Sequence, residues 1–264
     1  MIKVQSSLGL FVLFIVLFQS DLKAVLYFKD GGQHTIDYKI TETVSIDWAS
    51  PGKKTELYVV DGAEIIDNHT GTGIAVYEDG VVYISGGSIT RNVVSYGRSK
   101  VFFSGGTITQ NLAASEHSEV YVSDGIISCV LGAYSDGTVY LSGGKIGNEL
   151  SAFSNGKIFV TGGELGMPIR ASNTSTIVIY GTDFNYDYGE ISVTNGKLTG
   201  TLANGDTISN YFYINDDAKI ILVIPEPSTL LLLGLGTMVL RRKSRRSWMS
   251  TRRGRRNGRR TKMF

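Results

Sequence analysis

A repeat of 19 residues in the middle of the chain constrains its fold more than any other feature of the sequence. Each copy contains a short strand-like pattern that is followed by a glycine pair or by Asp-Gly, except in the degenerate last copy. The copies begin at Val82, Val101, Val120, Val139, Ile158 and Ile177, and an earlier copy begins at Leu57, 25 residues before Val82. A fixed period of this length is typical of solenoids, in which each repeat packs only against its neighbours. The chain must therefore stack its repeats to bury their apolar sides.

Other positions recur with the same period and indicate how one coil is built. An apolar residue follows each glycine pair, a second apolar residue lies four positions further on, and Gly or Ser precedes each strand. The first apolar position is Ile89, Ile108, Ile127, Ile146 and Leu165; the second is Val93, Leu112, Leu131, Leu150 and Ile169; the Gly or Ser position is Gly80, Ser99, Ser118, Gly137, Gly156 and Ser175. Because glycine adopts positive φ angles easily, we expect one corner at each glycine pair and another at each Gly or Ser.

These patterns predict an all-β fold, a single-stranded parallel β-helix whose coils of about 19 residues stack about 4.8 Å apart. We assign residues 57–182 to the solenoid repeats. Residues 25–56 and 183–224 are expected to form N-terminal and C-terminal strand-rich caps, because the uncovered end of a solenoid would template aggregation.

The charge of the chain is divided between an acidic middle and a basic end. Residues 25–224 contain 12 basic and 22 acidic side chains, whereas residues 241–264 contain 12 basic and no acidic ones. A nucleic-acid-binding protein carries its positive charge on the folded domain, so the acidic middle argues against a nucleic-acid partner.

The one cysteine, Cys129, excludes an intramolecular disulfide and is expected to be a free, partly buried thiol.

The first 24 residues have the organisation of a secretory signal peptide. Lys3 supplies a positive charge, and the apolar stretch from Leu8 to Phe18 is too short to cross a bilayer comfortably. Ala24 is a small residue suited to cleavage, and Ser20 is the alternative cleavage point. We therefore predict a signal helix over residues 1–24 and export of the rest of the chain.

The other end carries three elements in a defined order. Pro225-Glu226-Pro227 is followed by the almost entirely apolar residues 229–240, and then by Arg241, Arg242 and Lys243. A short apolar helix before basic residues acts as a membrane stop element, with the basic residues on the cytoplasmic side. The apolar segment is shorter than the roughly 20 residues of a permanent span. We therefore predict a short C-terminal transmembrane helix that anchors the chain transiently.

This order of elements resembles the PEP-CTERM sorting signal of Gram-negative bacteria, and the body resembles the β-helix repeats of autotransporter-like proteins. We assign the signal to residues 225–243. The resemblance implies recognition by an exosortase, a membrane-embedded sorting protease that cuts near the motif. One departure is that the chain continues past the basic cluster, over residues 244–264, as an arginine-rich tail that we expect to be disordered.

One polar column deserves consideration as a site of chemistry, because stacking places residues 19 apart beside each other. It consists of Asp79, Arg98, His117, Asp136 and Asn155. Parallel β-helices include polysaccharide lyases and glycosidases, which work through acidic clusters, so Asp79, His117 and Asp136 define an enzyme alternative. The column also lies directly before the Gly or Ser corner, where Asp-Gly and Asn-Gly are ordinary turn pairs. We therefore predict no catalytic residues and keep polysaccharide cleavage as the alternative.

A second column is aromatic and consists of Tyr83, Phe102, Tyr121, Tyr140 and Phe159. The aliphatic residues on both sides of each ring are expected to point inward, so that the rings point outward. Exposed rings of this kind are suited to binding sugar rings or a partner surface. Alternatively, the rings stack on one another and serve only the structure. This column is the candidate binding face.

The sequence carries no motif for a cofactor or a metal. The three histidines lie far apart without zinc-ligand spacing, the glycine pairs do not match the calcium-binding β-helix repeat, and no phosphate loop or nucleophile elbow occurs. We predict no cofactor, no metal and no enzyme activity.

The leading hypothesis is an exported solenoid of structural or adhesive role in the cell envelope or extracellular matrix. Its candidate partners are the exosortase, the membrane through the C-terminal helix, and extracellular polysaccharide.

Replacing Pro225, Glu226 and Pro227 with alanine is expected to leave an uncleaved, membrane-retained protein, because the resemblance makes this motif the feature that the sorting protease recognises. Cell fractionation with mass spectrometry of the C-terminus measures the outcome. A matched triple alanine variant at Arg252, Arg253 and Arg255, in the tail, is expected to be processed normally. Normal processing of the motif variant would refute the assignment.

Overall fold

The computed structural model describes residues 25–225, except for residues 49, 51–52 and 68–70. These residues form an all-β parallel solenoid of about eight turns, with no helix among them. The parallel β-helix predicted from the repeat is therefore confirmed.

Several predicted features lie outside the described residues. They are the signal helix with the cleavage site Ala24, the motif residues Glu226 and Pro227, the C-terminal transmembrane helix with Arg241, Arg242 and Lys243, and the arginine-rich tail.

The first part of the solenoid consists of short strands. They are β1 (Val25–Phe28), β2 (Gln33–Ile36), β3 (Lys39–Ile40), β4 (Thr43–Ile46), β5 (Glu56–Val59), β6 (Glu64–Ile65), β7 (Thr72–Val76), β8 (Val81–Ile84), β9 (Ser88–Ile89) and β10 (Asn92–Ser95). The middle strands are β11 (Lys100–Ile108), β12 (Leu112–Ala114), β13 (Glu119–Ile127), β14 (Val130–Ala133), β15 (Thr138–Leu141), β16 (Lys145–Ile146), β17 (Glu149–Ala152), β18 (Lys157–Val160) and β19 (Ile169–Ala171). The last strands are β20 (Thr176–Thr182), β21 (Gly189–Glu190), β22 (Asn195–Leu202), β23 (Thr207–Ile214) and β24 (Lys219–Val223).

The strands form three parallel ladders along the solenoid. The first ladder contains β1, β4, β7, β10, β12, β14, β17, β19 and β23. The second contains β2, β5, β8, β11, β13, β15, β18, β20 and β24. The third is shorter and contains β3, β6, β9, the ends of β11 and β13, and β16. In the repetitive part each residue pairs with the one 19 positions later, as Val101 does with Val120, so one repeat is one turn.

The interior consists of aliphatic columns with one member per turn. Val101, Val120 and Val139 have no exposed surface, and the same is true of Ile108 and Ile127 after the glycine pairs. Burying an aliphatic side chain of this size stabilises a fold by roughly 1.5–3 kcal/mol. The apolar positions that reveal the repeat in the sequence are therefore the ones that form the core.

The corner at the glycine pair has the predicted backbone conformation. The glycine that ends each Gly-Gly or Asp-Gly pair has a positive φ, for example 87° at Gly106, 96° at Gly125 and 86° at Gly144. The corners also lie directly on one another, because a Cβ built at Gly106 would approach the Gly86 carbonyl oxygen of the preceding turn to 2.6 Å. Glycine is needed here both for the φ angle and for the close approach of the backbones.

The prediction for the second corner was wrong about which residue bends the chain. The positive φ lies two residues before the Gly or Ser position, at residues such as Glu116 (59°) and Ser135 (55°). Space and hydrogen bonding restrict the Gly or Ser position instead. Ser118 is almost fully buried, and its hydroxyl donates to the Ser95 carbonyl of the preceding turn at 2.8 Å. At Gly137 a Cβ would lie 2.5 Å from the Ala114 carbonyl oxygen.

Two kinds of side chain inside the repeat make further contacts or remain free. Asn92 and Asn111 form a short ladder, in which Asn92 Oδ1 accepts from the Asn111 N–H at 3.2 Å and Asn111 Oδ1 accepts from the Val130 N–H at 3.0 Å. Cys129 is a free, half-buried thiol, as predicted.

The two ends of the solenoid are built differently. At the N-terminal end β1, β2 and β3 pair in parallel with β4, β5 and β6, so this segment forms a turn of the solenoid. At the C-terminal end the chain between β20 and β23 departs from the repeat. There β22 pairs antiparallel with β23, and β21 pairs antiparallel with β24.

Gly106→Ala is expected to destabilise the solenoid more than Gly205→Ala does. Both glycines have similar positive φ angles, 87° and 97°, so each substitution costs about 1–2 kcal/mol of left-handed strain. A Cβ at Gly205 meets nothing within 4 Å, whereas one at Gly106 meets backbone of the preceding turn, which adds roughly 1–3 kcal/mol of overpacking. Unfolding followed by circular dichroism measures the difference. Equal losses for the two variants would show that stacking of the corners contributes little.

Candidate functional site

The rings of the candidate binding face form one continuous stack on the outside of the second ladder. Neighbouring rings are nearly parallel, with centroids 4.8–5.3 Å apart and interplanar angles of 9–13°. The stack, which we call the aromatic ladder, contains Tyr58, Tyr83, Phe102, Tyr121, Tyr140 and Phe159. The column predicted from the sequence did not include Tyr58, although the copy that begins at Leu57 places this ring at the same position as Tyr83.

Stacking determines which part of each ring is available to a ligand. The flanking residues Val101 and Phe103 are buried, whereas Phe102 between them is half-buried, so the rings point outward. Both faces of an inner ring contact neighbouring rings, and Thr35 and Val178 pair with the two end residues. The aromatic ladder therefore presents ring edges and phenol hydroxyls to solvent, and Tyr140 is the most exposed of the six rings at 37%.

A charged column runs beside the aromatic ladder and binds some of its hydroxyls. Tyr121 donates to Glu119 Oε2 at 2.8 Å, and Lys100 Nζ lies 2.6 Å from the same oxygen. Burial and this hydrogen bond raise the pKa of Tyr121 to about 12. The hydrogen bonds from Lys100 and Tyr121 lower the pKa of Glu119. At neutral pH Tyr121 is therefore a neutral donor, and Glu119 is an ionised acceptor.

A column of hydroxyl groups follows the ladder on its other side. Ser104, Ser142 and Thr161 lie two residues after the rings of their turns. Each hydroxyl approaches a carbonyl oxygen of the preceding turn at 3.2–3.4 Å. A hydroxyl that donates in this way still has lone pairs with which to accept a hydrogen bond. The face thus offers ring edges, phenol groups and hydroxyl oxygens in parallel rows.

A second, interrupted aromatic column lies at the second corner. Tyr77 stacks on Tyr96 with centroids 5.3 Å apart, and Tyr134 stacks on Phe153 at 5.8 Å. The turn between these pairs carries Ser115 at the same position. The 19-residue spacing of these rings in the sequence could have revealed the column, although the serine breaks its pattern.

The polar column of the enzyme alternative lies on the exposed side of the second corner. Arg98 contacts both carboxylate oxygens of Asp79 at 3.0 Å, and these hydrogen bonds lower the pKa of Asp79 and raise that of Arg98. Asn155 donates to Asp136 at 3.2 Å, and His117 is exposed. Asp79 and Asp136 are therefore each bonded to the side chain of the next turn, which is a turn-stabilising arrangement.

A shallow depression of about 470 Å³ lies at the glycine-pair corners, and its lining includes Asp124, Lys145, Glu164 and Asp206. Lys145 and Glu164 form an ion pair at 2.6 Å. Asp206 accepts hydrogen bonds from Asn204 and from the Gly163 N–H, and these bonds lower its pKa. Within residues 25–225, as far as they are described, no group of three or more His, Cys, Asp or Glu side chains is arranged to hold a metal ion.

Phe102→Leu is expected to destabilise the protein about twice as much as Phe159→Leu does. Phe102 stacks on two rings and Phe159 on one, and each stacked pair contributes about 0.5–1.5 kcal/mol beyond the burial of area. Both residues are half-buried phenylalanines on the same face, so each is the matched control of the other. Chemical unfolding measures the two losses, and equal values would contradict an energetic role for stacking.

Comparison with known proteins yields one match, at the C-terminal end of the chain. The model of the PEP-CTERM protein-sorting motif matches residues 223–246. No curated protein and no solved structure matches the chain significantly. None of the residues that the structure describes forms a helix with the length and hydrophobicity needed to cross a membrane. The chain therefore carries a PEP-CTERM sorting motif after a β-solenoid body, which implies that it is exported, anchored in the membrane before processing, and processed by an exosortase.

Proposed function

We propose that the solenoid is a non-enzymatic structural or adhesive component of the cell envelope or extracellular matrix of a Gram-negative-type bacterium. Its ligand in this proposal is an extracellular polysaccharide that lies along the aromatic ladder. The observation that carries the proposal is the regular spacing of the rings, whose centroids are 4.8–5.3 Å apart. This spacing is close to the length of one sugar residue in an extended polysaccharide chain.

The exposed chemistry of the face suits such a ligand. Because the ring faces are occupied by neighbouring rings, sugars would contact the ring edges, the Tyr83 and Tyr140 hydroxyls, and the oxygens of the hydroxyl column that includes Ser104 and Ser142. A sugar hydroxyl can donate to these oxygens or accept from the phenols. The match in spacing would let one polysaccharide chain repeat the same contacts from turn to turn.

Repetition would make weak contacts sufficient. One ring edge and one hydroxyl bind a sugar weakly, but several identical contacts on one rigid rod act at a high effective concentration after the first has formed. Binding in this mode would depend on the number of intact turns rather than on one deep pocket. It would also tolerate variation in the sugar, because the contacts come from edges and hydroxyls.

The proposed route follows from the two ends of the chain. The leader is removed at Ala24 during export, and the apolar helix holds the chain in the membrane with Arg241, Arg242 and Lys243 on the cytoplasmic side. Exosortase processing near the Pro225-Glu226-Pro227 motif then frees the solenoid for release or for attachment at the outer surface.

Tyr121→Ala/Tyr140→Ala is expected to reduce retention of the processed protein in the extracellular matrix several-fold, because the substitutions remove two adjacent rings from the middle of the ladder. Retention is measured as the ratio of matrix-bound to free protein. Tyr211→Ala/Tyr213→Ala removes two exposed tyrosines outside the ladder and is the matched control, with retention unchanged.

Melting curves establish that both variants keep the solenoid folded. Unchanged retention of the ladder variant would contradict the proposed binding face. Turnover of a polysaccharide by the wild-type protein would instead favour the enzyme alternative, and its loss in Asp136→Asn would assign the activity to the polar column.

A further inference from the structure

The N-terminal end of the solenoid exposes strand edges on all three ladders. Among the described residues β1 pairs only with β4, β2 only with β5, and β3 only with β6. The outer edges of these three strands therefore carry backbone N–H and C=O groups with no strand beside them in the described part of the chain. Such an edge is a template for another strand.

The C-terminal end is covered by contrast. On the first ladder β22 lies beside β23, and on the second β21 lies beside β24. The edge of β22 is itself bonded by Asn185, whose backbone N–H donates to the Thr199 carbonyl and whose side chain bonds the Thr199 N–H and the Lys197 carbonyl at 2.7 and 2.9 Å. Phe184 and Tyr186 pack against the core at this end.

The open end has an apolar centre with polar groups beside it. The half-buried Val25 and Leu26 and the exposed Tyr38 line an open depression of about 460 Å³, which is completed by the buried Ile40 and by Lys39, Thr41 and Glu42. His34 stands at the end of a core column, because it pairs with Leu57 in register. It stacks on Phe28 with ring centroids 4.3 Å apart, and its Nε2 lies 2.9 Å from Asp30 Oδ1. An apolar centre with a polar rim is the usual anatomy of a protein interface.

We propose that this open end is an interface between two copies of the chain, which join head to head in a symmetric dimer. The inference rests on the proposed function in one respect, since removal of the leader at Ala24 leaves Val25 as the first residue. Val25 is also the first residue of β1. After such processing no preceding segment of the same chain remains to cover the edge, and a second copy supplies one of matching shape.

The difference between the ends determines the kind of assembly. A head-to-tail contact would need an open edge at the C-terminal end, where β21, β22 and Asn185 already lie. On the first two ladders, stacking in that direction is therefore occupied by this chain's own elements, which opposes the open-ended growth that head-to-tail contacts produce. The remaining contact uses the same surface on both copies, which closes after two subunits.

The direction of the strands fits this arrangement. All strands of the first turn run the same way around the solenoid axis, so a two-fold rotation that brings two N-terminal ends together reverses them. Edge strands of the two copies would therefore meet antiparallel, a pairing that extends a sheet without any crossover connection. The rod formed in this way would have twice the length, with a covered end at each tip.

The test measures the mass of the processed protein by light scattering during size-exclusion chromatography. We expect twice the mass of one processed chain for the wild type and for Tyr211→Glu, and the mass of a single chain for Tyr38→Glu. Tyr38 and Tyr211 are both 53% exposed, so neither substitution disturbs the core. Tyr211 is the matched control because only Tyr38 lies at the open end. Leu26→Lys, on β1 at the same end, is expected to be monomeric as well, with circular dichroism to verify its fold.

A wild-type protein that runs as a monomer, or a Tyr38→Glu variant that stays dimeric, would overturn the proposal. Mass spectrometry of the N-terminus separates this failure from failure of the proposed export route. A monomer that begins at Val25 refutes the interface alone. A chain that retains residues 1–24 refutes the leader removal on which the inference rests.

Discussion

Parallel hydrogen bonding between residues 19 positions apart is the interaction on which the rest of the structure depends. It places each side chain beside its counterpart in the next turn, so each column consists of the residues at one position of the repeat. Aliphatic columns become the core and aromatic columns become stacks. Charged columns need alternating signs, and the pairs Asp79–Arg98, Lys100–Glu119 and Lys145–Glu164 all join residues 19 apart. Like charges at this spacing would repel one another in every turn.

The sequence was sufficient to predict the class of fold, the core columns, five of the six stacked rings and the sorting motif, because each depends on periodicity or on a contiguous motif. The sequence was insufficient for features that depend on the three-dimensional arrangement rather than on a repeated pattern. Glu116 and Ser135 bend the chain with positive φ angles that their residue types do not suggest. Tyr58 was left out of the predicted column although its copy of the repeat had been identified, because that copy lies outside the 19-residue spacing on which the column was built. The difference between the two ends depends on contacts of Asn185, Phe184 and Tyr186 that follow no repeat.

Stacking of the rings on one another limits which parts of the aromatic ladder a ligand can contact. A sugar-binding platform usually offers the face of a ring, but here both faces of each inner ring contact neighbouring rings. Structure and the proposed recognition would therefore use different parts of the same side chain. The phenols of Tyr58 and Tyr121 already donate to Glu56 and Glu119. Tyr83 and Tyr140 are therefore the phenols on which the proposed contacts depend. The export of the protein is thus supported by its sorting motif, whereas the proposed polysaccharide binding is argued from the chemistry of one outer face.

Val223 is both the last residue of β24 and the first residue of the matched sorting motif. It pairs with Tyr180 in the preceding turn, so the solenoid and the motif share a residue and have no spacer between them. A protease that recognises the motif would therefore act next to a folded strand. With the last turn formed, the segment accessible to such a protease would be the chain that follows β24. The folded end of the solenoid would then set the near limit of the segment that can be cut.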